Sequence, residues 1–204
     1  MTGTKEPLVT QILDFWFGQL DSEGCVEHDK SQQWFTKDPI FDARIKRLFG
    51  DYIETATMGA LDRWTSSIQG TTALIVMLDQ FPRNIFRGNE RSFRCDKKAI
   101  SVCLAAIDKG QLWQAPTAYA YFMLMPTMHS EHLDVQNKGV ECFSILAEKS
   151  EGSAKTMITN ALDYAKRHRD IIEKFQRFPH RNAILGREST REEEAFLQTP
   201  GSSF

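Results

Sequence analysis

No apolar run in this 204-residue chain approaches the roughly 18 residues needed to cross a bilayer, and its opening MTGTKEP lacks the apolar stretch of a secretory signal. A membrane-spanning or exported protein is therefore not expected, and the cytoplasm is. Charge bias is also missing. A net charge of -2 gives no field to gather nucleic acid or an acidic membrane surface. The four cysteines, Cys25, Cys95, Cys103 and Cys142, are scattered without a C-x-x-C pair. That spacing excludes a disulfide scaffold and points to a reducing compartment. P-loop, dinucleotide, G-x-S-x-G and EF-hand patterns are absent, so neither a cofactor nor a metal is expected. Alternating β-branched strands and hairpin turn signals are absent too, which leaves helix-on-helix packing as the layer architecture.

What is present reads as helix after helix. Leu8, Ile12, Phe15 and Trp16 fall on one helical face between Pro7, suited to a first turn, and Gly18, suited to a stop. Asp38-Pro39 is a cap followed by a first-turn proline, and a second helix follows with Phe41, Ile45, Leu48, Phe49, Tyr52 and Ile53 inward. Thr72 to Leu78 is apolar nearly all round. Periodicity cannot type it, but a lone strand has no hydrogen-bonding partner, so it is read as a buried helix. Asp96 opens a helix that Gly110 closes. Ala118 to Met125, bracketed by Pro116 and Pro126, is expected to pair antiparallel with a longer helix opened by Ser130. Ala154 to Phe175 carries the longest stripe, ended by Pro179, and Thr190 with Glu193 has capping-box spacing before a last turn. The expectation is one all-α domain over 1–204, an antiparallel helical array with irregular tails at 1–6 and 198–204.

One internal echo stands out: Phe81-Pro82-Arg83-Asn84-Ile85-Phe86-Arg87-Gly88 and Phe178-Pro179-His180-Arg181-Asn182-Ala183-Ile184-Leu185-Gly186-Arg187. The plain reading is a helix-ending turn used twice, with proline stopping the chain and asparagine taking the left-handed exit. The sharper reading starts from arginine, whose fork near a buried turn demands a carboxylate, a phosphate or carbonyls. It makes Arg83, Asn84, Arg87, His180, Arg181, Asn182 and Arg187 ligand-binding candidates for an anion. Asp79, Asp96 and Glu188 are the competing internal partners, and such pairing is the commoner fate of these arginines.

At Met128-His129-Ser130-Glu131-His132-Leu133-Asp134, His129 beside Glu131 would titrate near neutral pH and forms a candidate catalytic acid-base pair. The plain alternative is that Ser130 caps a helix and Glu131 complements its dipole. The H-E-x-x-H order of a zinc protease is absent, and H-x-E without a following P-C-x-x-C is not a deaminase site. His168-Arg169-Asp170 imitates a kinase loop but falls inside a helix, without its other parts.

Taken together, Ile12-Leu13-Asp14-Phe15-Trp16-Phe17-Gly18, Trp34-Phe35, Leu78-Asp79-Gln80 with the first Phe-Pro-Arg-Asn, Met125-Pro126 with His129-Ser130-Glu131, and Arg177 through Thr190 resemble the domain-of-unknown-function 924 family. The resemblance runs from the first helix to the last residues, although Arg191 stands where the family pattern has proline. It implies a tetratricopeptide-like superhelix and no particular reaction. Three functions are therefore carried forward. The first is a helical-repeat binding protein whose groove takes an anionic small molecule or acidic peptide end. The second is an enzyme using His129 and Glu131 on an anionic substrate. The third is a scaffold that meets a protein partner; no reading involves nucleic acid or a membrane, and oligomeric state is left open.

Overall fold

Pro7 starts α1 (Pro7–Trp16), which buries Val9, Ile12, Leu13 and Trp16 and ends before Gly18 at φ +66°. These coordinates are a computed structural model that describes residues 6–202. Residues 1–5 and 203–204 of the expected tails lie outside the described residues, and 198–202 form turns.

The stretch from Gly18 to Lys37 is polar except for Trp34-Phe35, and it holds α2 (His28–Phe35). Only Trp34 is buried on it, so no apolar period announces it. Tertiary contact secures it instead, with the Trp34 indole Nε1 donating to the Trp16 carbonyl at 2.9 Å. Asp38 caps α3 (Pro39–Phe49) as its spacing predicts, accepting from the Ile40 and Phe41 amides. The helix expected to run on to Ile53 breaks at Gly50 and restarts as α4 (Tyr52–Thr57).

The apolar run is helix, as the lack of a strand partner requires: α5 (Ile68–Ile75) passes through a π-helical turn at Val76–Gln80 into α6 (Phe81–Ile85). Every residue from 70 to 82 is buried. Two expectations fail here. Pro82 does not stop the chain but sits in the first turn of α6, where its missing N–H costs nothing. Neither asparagine is left-handed: Asn84 lies within α6 and Asn182 has φ -57°. Gly88 and Gly186, at φ +77° and +64°, take that conformation instead.

The remaining helices are α7 (Asp96–Asp108), α8 (Thr117–His129), α9 (Leu133–Lys149), α10 (Gly152–Phe175) and α11 (Arg191–Leu197). Pro126 falls inside α8, so the short segment expected between prolines runs on to His129. At the α8/α9 crossing a Cβ on Gly139 would lie 2.1 Å from Thr127 Oγ1, so only glycine lets these helices meet so closely. The capping box of Thr190 and Glu193 forms as its spacing predicts. The protein is all-α, and among the described residues there is no strand, only an isolated bridge between Leu20 and Val26.

The two Phe-Pro copies anchor in different hydrophobic clusters. Phe81 stacks on Phe49 at 4.8 Å and meets Trp16 edge-on at 5.6 Å in the main core. Phe178 is buried with Ile171 and Ile172 in a small separate cluster that α10 builds with Phe175 and Phe196. Charged side chains link the two.

Candidate functional site

The π-helical turn before the first Phe-Pro carries Asp79, which is fully buried. Such turns widen the helix by one residue and often mark functional positions. Its Oδ1 lies 2.8 Å from His129 Nδ1 and 3.3 Å from Arg83 Nη1, and its Oδ2 accepts from Gln80 Nε2 at 2.6 Å. Burial alone would raise this carboxyl, but Arg83 and His129 outweigh it and hold the group below the usual carboxylate range. The His129 pKa is also lowered, by burial first and Arg83 second, against the pull of Asp79. A neutral ring beside an ionised carboxylate must donate from Nδ1, because the carboxylate can only accept. Nε2 then carries the lone pair of a base held in one tautomer by an acid.

Arg83 is the hub of the first turn. It binds Asp96 through both terminal nitrogens, at 2.9 and 3.0 Å, and donates to the Asp79 carbonyl at 2.6 Å. Asn84 and Arg87 turn the opposite way, onto Asp42 of α3, at 2.8 Å from Asn84 Nδ2 and 3.1 Å from both Arg87 nitrogens.

The second turn has its own clasp. Arg187 forks onto Glu131 at 2.7 and 2.9 Å, while Glu131 Oε1 also accepts the Phe178 amide at 2.8 Å. Asn182 accepts from Arg187 Nε at 3.0 Å and donates to Ser189 Oγ at 3.0 Å. Glu131 stands before α9 rather than in its first turn, and Ser130 Oγ accepts the His132 amide instead of an amide within α9. Burial would raise the Glu131 carboxyl, but its bonds to Arg187 and the Phe178 amide bring it down, so it stays ionised. His129 therefore has Asp79 as its hydrogen-bonding acid, and Glu131 belongs to the clasp.

Arg181 is the exception among these arginines. It is 6% exposed and lies between two aromatic faces, 4.5 Å from the ring centroids of both Phe93 and Phe178. Its fork makes one long bond, 3.4 Å from Nη1 to Asp96, and its buried Nε has no hydrogen-bond partner among the described residues. Burial, reinforced by Arg83, brings its pKa down to about 10. Around it stand His180, brought down to about 4 by burial and then Arg181, and His168, brought down to about 3 chiefly by burial. His168 contacts His129 at 6.3 Å and Phe178 at 5.8 Å between ring centroids.

The structure thus brings His129, Arg83 and Arg181 together around Asp79 and Asp96, and turns Asn84, Arg87, Asn182 and Arg187 to bracing bonds. Sequence reasoning missed Phe93 and passed over His168, which looked like part of a false kinase motif. Only the i,i+4 spacing of Asp79 and Arg83 gave a local signal. Among the described residues no three His, Cys, Asp or Glu side chains are placed to hold a metal ion, and no helix is long and apolar enough to cross a membrane. The four cysteines are buried free thiols.

A family model described as bacterial protein of unknown function (DUF924) matches residues 12–201. No curated protein matches the chain significantly. The chain is similar to the solved structure of a protein of unknown function from Agrobacterium tumefaciens, with 33% identity, a TM-score of 0.78, and coverage of 94% of this chain and 97% of that one.

Proposed function

From the premise that this chain belongs to the DUF924 family, we propose that it is a binding protein for a small anion, whose phosphate or carboxylate group is held by Arg181. The state of Arg181 carries this reading. Arg83, Arg87 and Arg187 each spend a bidentate fork on an internal carboxylate, whereas among the described residues Arg181 keeps a desolvated guanidinium with one long bond and an unbonded Nε. Burying a charge costs several kcal/mol unless it is well paired, and stacking between two rings recovers only about 0.5–2 kcal/mol per ring. An oxyanion beside Nε would supply the missing partner, with His180 next to it. In this reading the ligand set contracts to Arg181 and His180, and the other candidates form the frame. The tetratricopeptide-like stacking implied by the family resemblance belongs to the same proposal.

The test is Arg181→Met, which keeps the stem between the phenylalanines and removes the charge. Without ligand, its stability by urea denaturation is expected within about 1 kcal/mol of the parent or above it, since an apolar replacement ends an unmet desolvation cost. Inorganic phosphate or succinate should raise the parent's melting temperature, by about 5 °C or more at a hundredfold excess over Kd. The variant should show no such rise. A loss above roughly 3 kcal/mol in unliganded Arg181→Met would mark the guanidinium as structural and sink the proposal. So would a parent protein that responds to neither anion.

A second reading rests on a different observation, the buried Asp79–His129 pair at 2.8 Å. A neutral imidazole oriented by a buried carboxylate is a general base, and an anion on Arg181 would be its substrate. Nitrogen-15 shifts of His129 at pH 7 should report the Nδ1–H tautomer. An Nε2–H tautomer or a doubly protonated ring removes the base and this reading with it.

A further inference from the structure

Histidine rings gather where the two arginine turns meet. His180 lies in the turn Pro179–Arg181, with its ring centroid 5.4 Å from that of Phe178. His168 of α10 meets the same phenylalanine at 5.8 Å and stands 6.3 Å from His129, at the end of α8. The Arg181 guanidinium lies 4.5 Å from that Phe178 ring as well. One phenylalanine therefore carries a desolvated cation and two imidazoles around it.

The formal charges of the described groups in this cluster cancel without any histidine. Arg83 and Arg181 meet Asp79 and Asp96, and Arg187 meets Glu131. Arg181 thus needs a hydrogen-bond acceptor at Nε, but an oxyanion placed there brings negative charge in excess. In a desolvated site such an excess is costly, and a neighbour that can take a proton removes it.

His180 is the neighbour best placed to do so. Facing it are Arg181 from its own turn, Arg187 from the residues that follow, His129 from α8, His168 from α10 and Glu131 from the link between α8 and α9. Helix α11 packs on the same turn and brings Glu193, which is already forked with Arg177. Burial first and Arg181 second keep the His180 ring neutral in the free protein, at about 4. A bound anion opposes the Arg181 contribution, because an opposite charge within about 4–6 Å favours the protonated ring. His129 answers to Arg83 and Asp79 instead, and His168 is held neutral more firmly still, at about 3.

We propose that the site takes up its oxyanion together with one proton, which His180 accepts from solvent, so that Arg181 and an imidazolium hold a doubly charged oxyanion between them. This rests on the anion reading of Arg181 and adds to it the charge class of the ligand and a dependence on pH. The complex binds one proton more than the free protein, so affinity rises as pH falls. The coupling is reciprocal, and the anion raises the His180 pKa.

Isothermal titration of the full chain with sulfate, in two buffers of different ionisation enthalpy, counts the protons taken up. Sulfate stays doubly charged across the range from about pH 5.5 to 7.5 where histidine titrates, so a proton counted there belongs to the protein. Uptake of about half a proton or more per sulfate is expected at about pH 5.5, with Kd at least about threefold tighter than at about pH 7.5. His180→Gln should lose both the uptake and the pH dependence. Nitrogen-15 shifts of His180 in the unsubstituted protein need no variant: at about pH 5.5 the ring should be neutral when free and doubly protonated in its larger part at saturating sulfate. A ring that stays neutral there overturns the inference even where His180→Gln fails to fold or to bind. Sulfate binding without proton uptake, or uptake that persists in His180→Gln, also overturns it and leaves the anion site standing. Binding of phosphate but not sulfate does the same, since the site would then take an anion that carries its own proton. Absence of binding by sulfate, phosphate and succinate alike overturns the anion site and this inference together.

Discussion

Arg83→Met is expected to destabilise the protein by about 3–5 kcal/mol, the range found when one member of a buried ion pair is removed and its partner is left uncompensated. Asp79 is fully buried at 0% exposure, and Arg83 is both its cation and the donor to its backbone carbonyl. Asp96, at 14% exposure, can recover some hydration and keeps Arg181; Asp79 can recover neither. The cost therefore lies chiefly on Asp79, which must take up a proton or remain a buried anion with only His129 and Gln80 as donors. Urea denaturation at neutral pH measures it. The double variant Asp79→Leu/Arg83→Met is expected to regain much of the loss, since replacing a buried pair by apolar groups is often nearly neutral. A loss below about 1 kcal/mol in Arg83→Met would show that Asp79 is compensated elsewhere and that Arg83 is not the hub of the first turn.

Glu131→Ala should cost about 2–3 kcal/mol, somewhat less than a fully buried pair because both partners are about a quarter exposed. The removal leaves the Arg187 fork and the Phe178 amide without their acceptor, and Phe178 anchors the small cluster of Ile171 and Ile172. Glu131→Gln retains an acceptor for that amide and should lose roughly half as much. A double-mutant cycle with Arg187→Met is expected to show coupling of about 1–3 kcal/mol. The outcome separates two roles for this residue. A carboxylate kept for proton transfer leaves stability unchanged or improved on removal, whereas a clasp does not. A stability change within about 0.5 kcal/mol would return Glu131 to the list of acid-base candidates.

Fold class was legible because helix formation is local: its hydrogen bonds join residues four apart, and its apolar period repeats within a turn or two. Pro7, Asp38 and the Thr190–Glu193 box marked helix starts correctly. Helix α2 was not legible, because its hold on the protein is one tryptophan whose partner lies 18 residues away. The repeated Phe-Pro-Arg-Asn was visible as a pattern, but identical letters do different work. Pro82 sits in the first turn of a helix that follows directly on a π-helical turn, while Pro179 follows a helix already ended by left-handed Gln176.

What the sequence by itself determined is the set of charges and the helices that carry them, including Asp79 and Arg83 one turn apart. Only the tertiary structure decided which acid each base meets. Asp42 and Arg87 lie 45 residues apart, His129 and Asp79 50, and Glu131 and Arg187 56. Each arginine fork fits any carboxylate of the right geometry, so local spacing cannot choose among them. The choice falls to the packing of apolar helix faces, which sets the distances. That packing gave three forks a full partner and left the guanidinium of Arg181 against the rings of Phe93 and Phe178, with its Nε unbonded among the described residues.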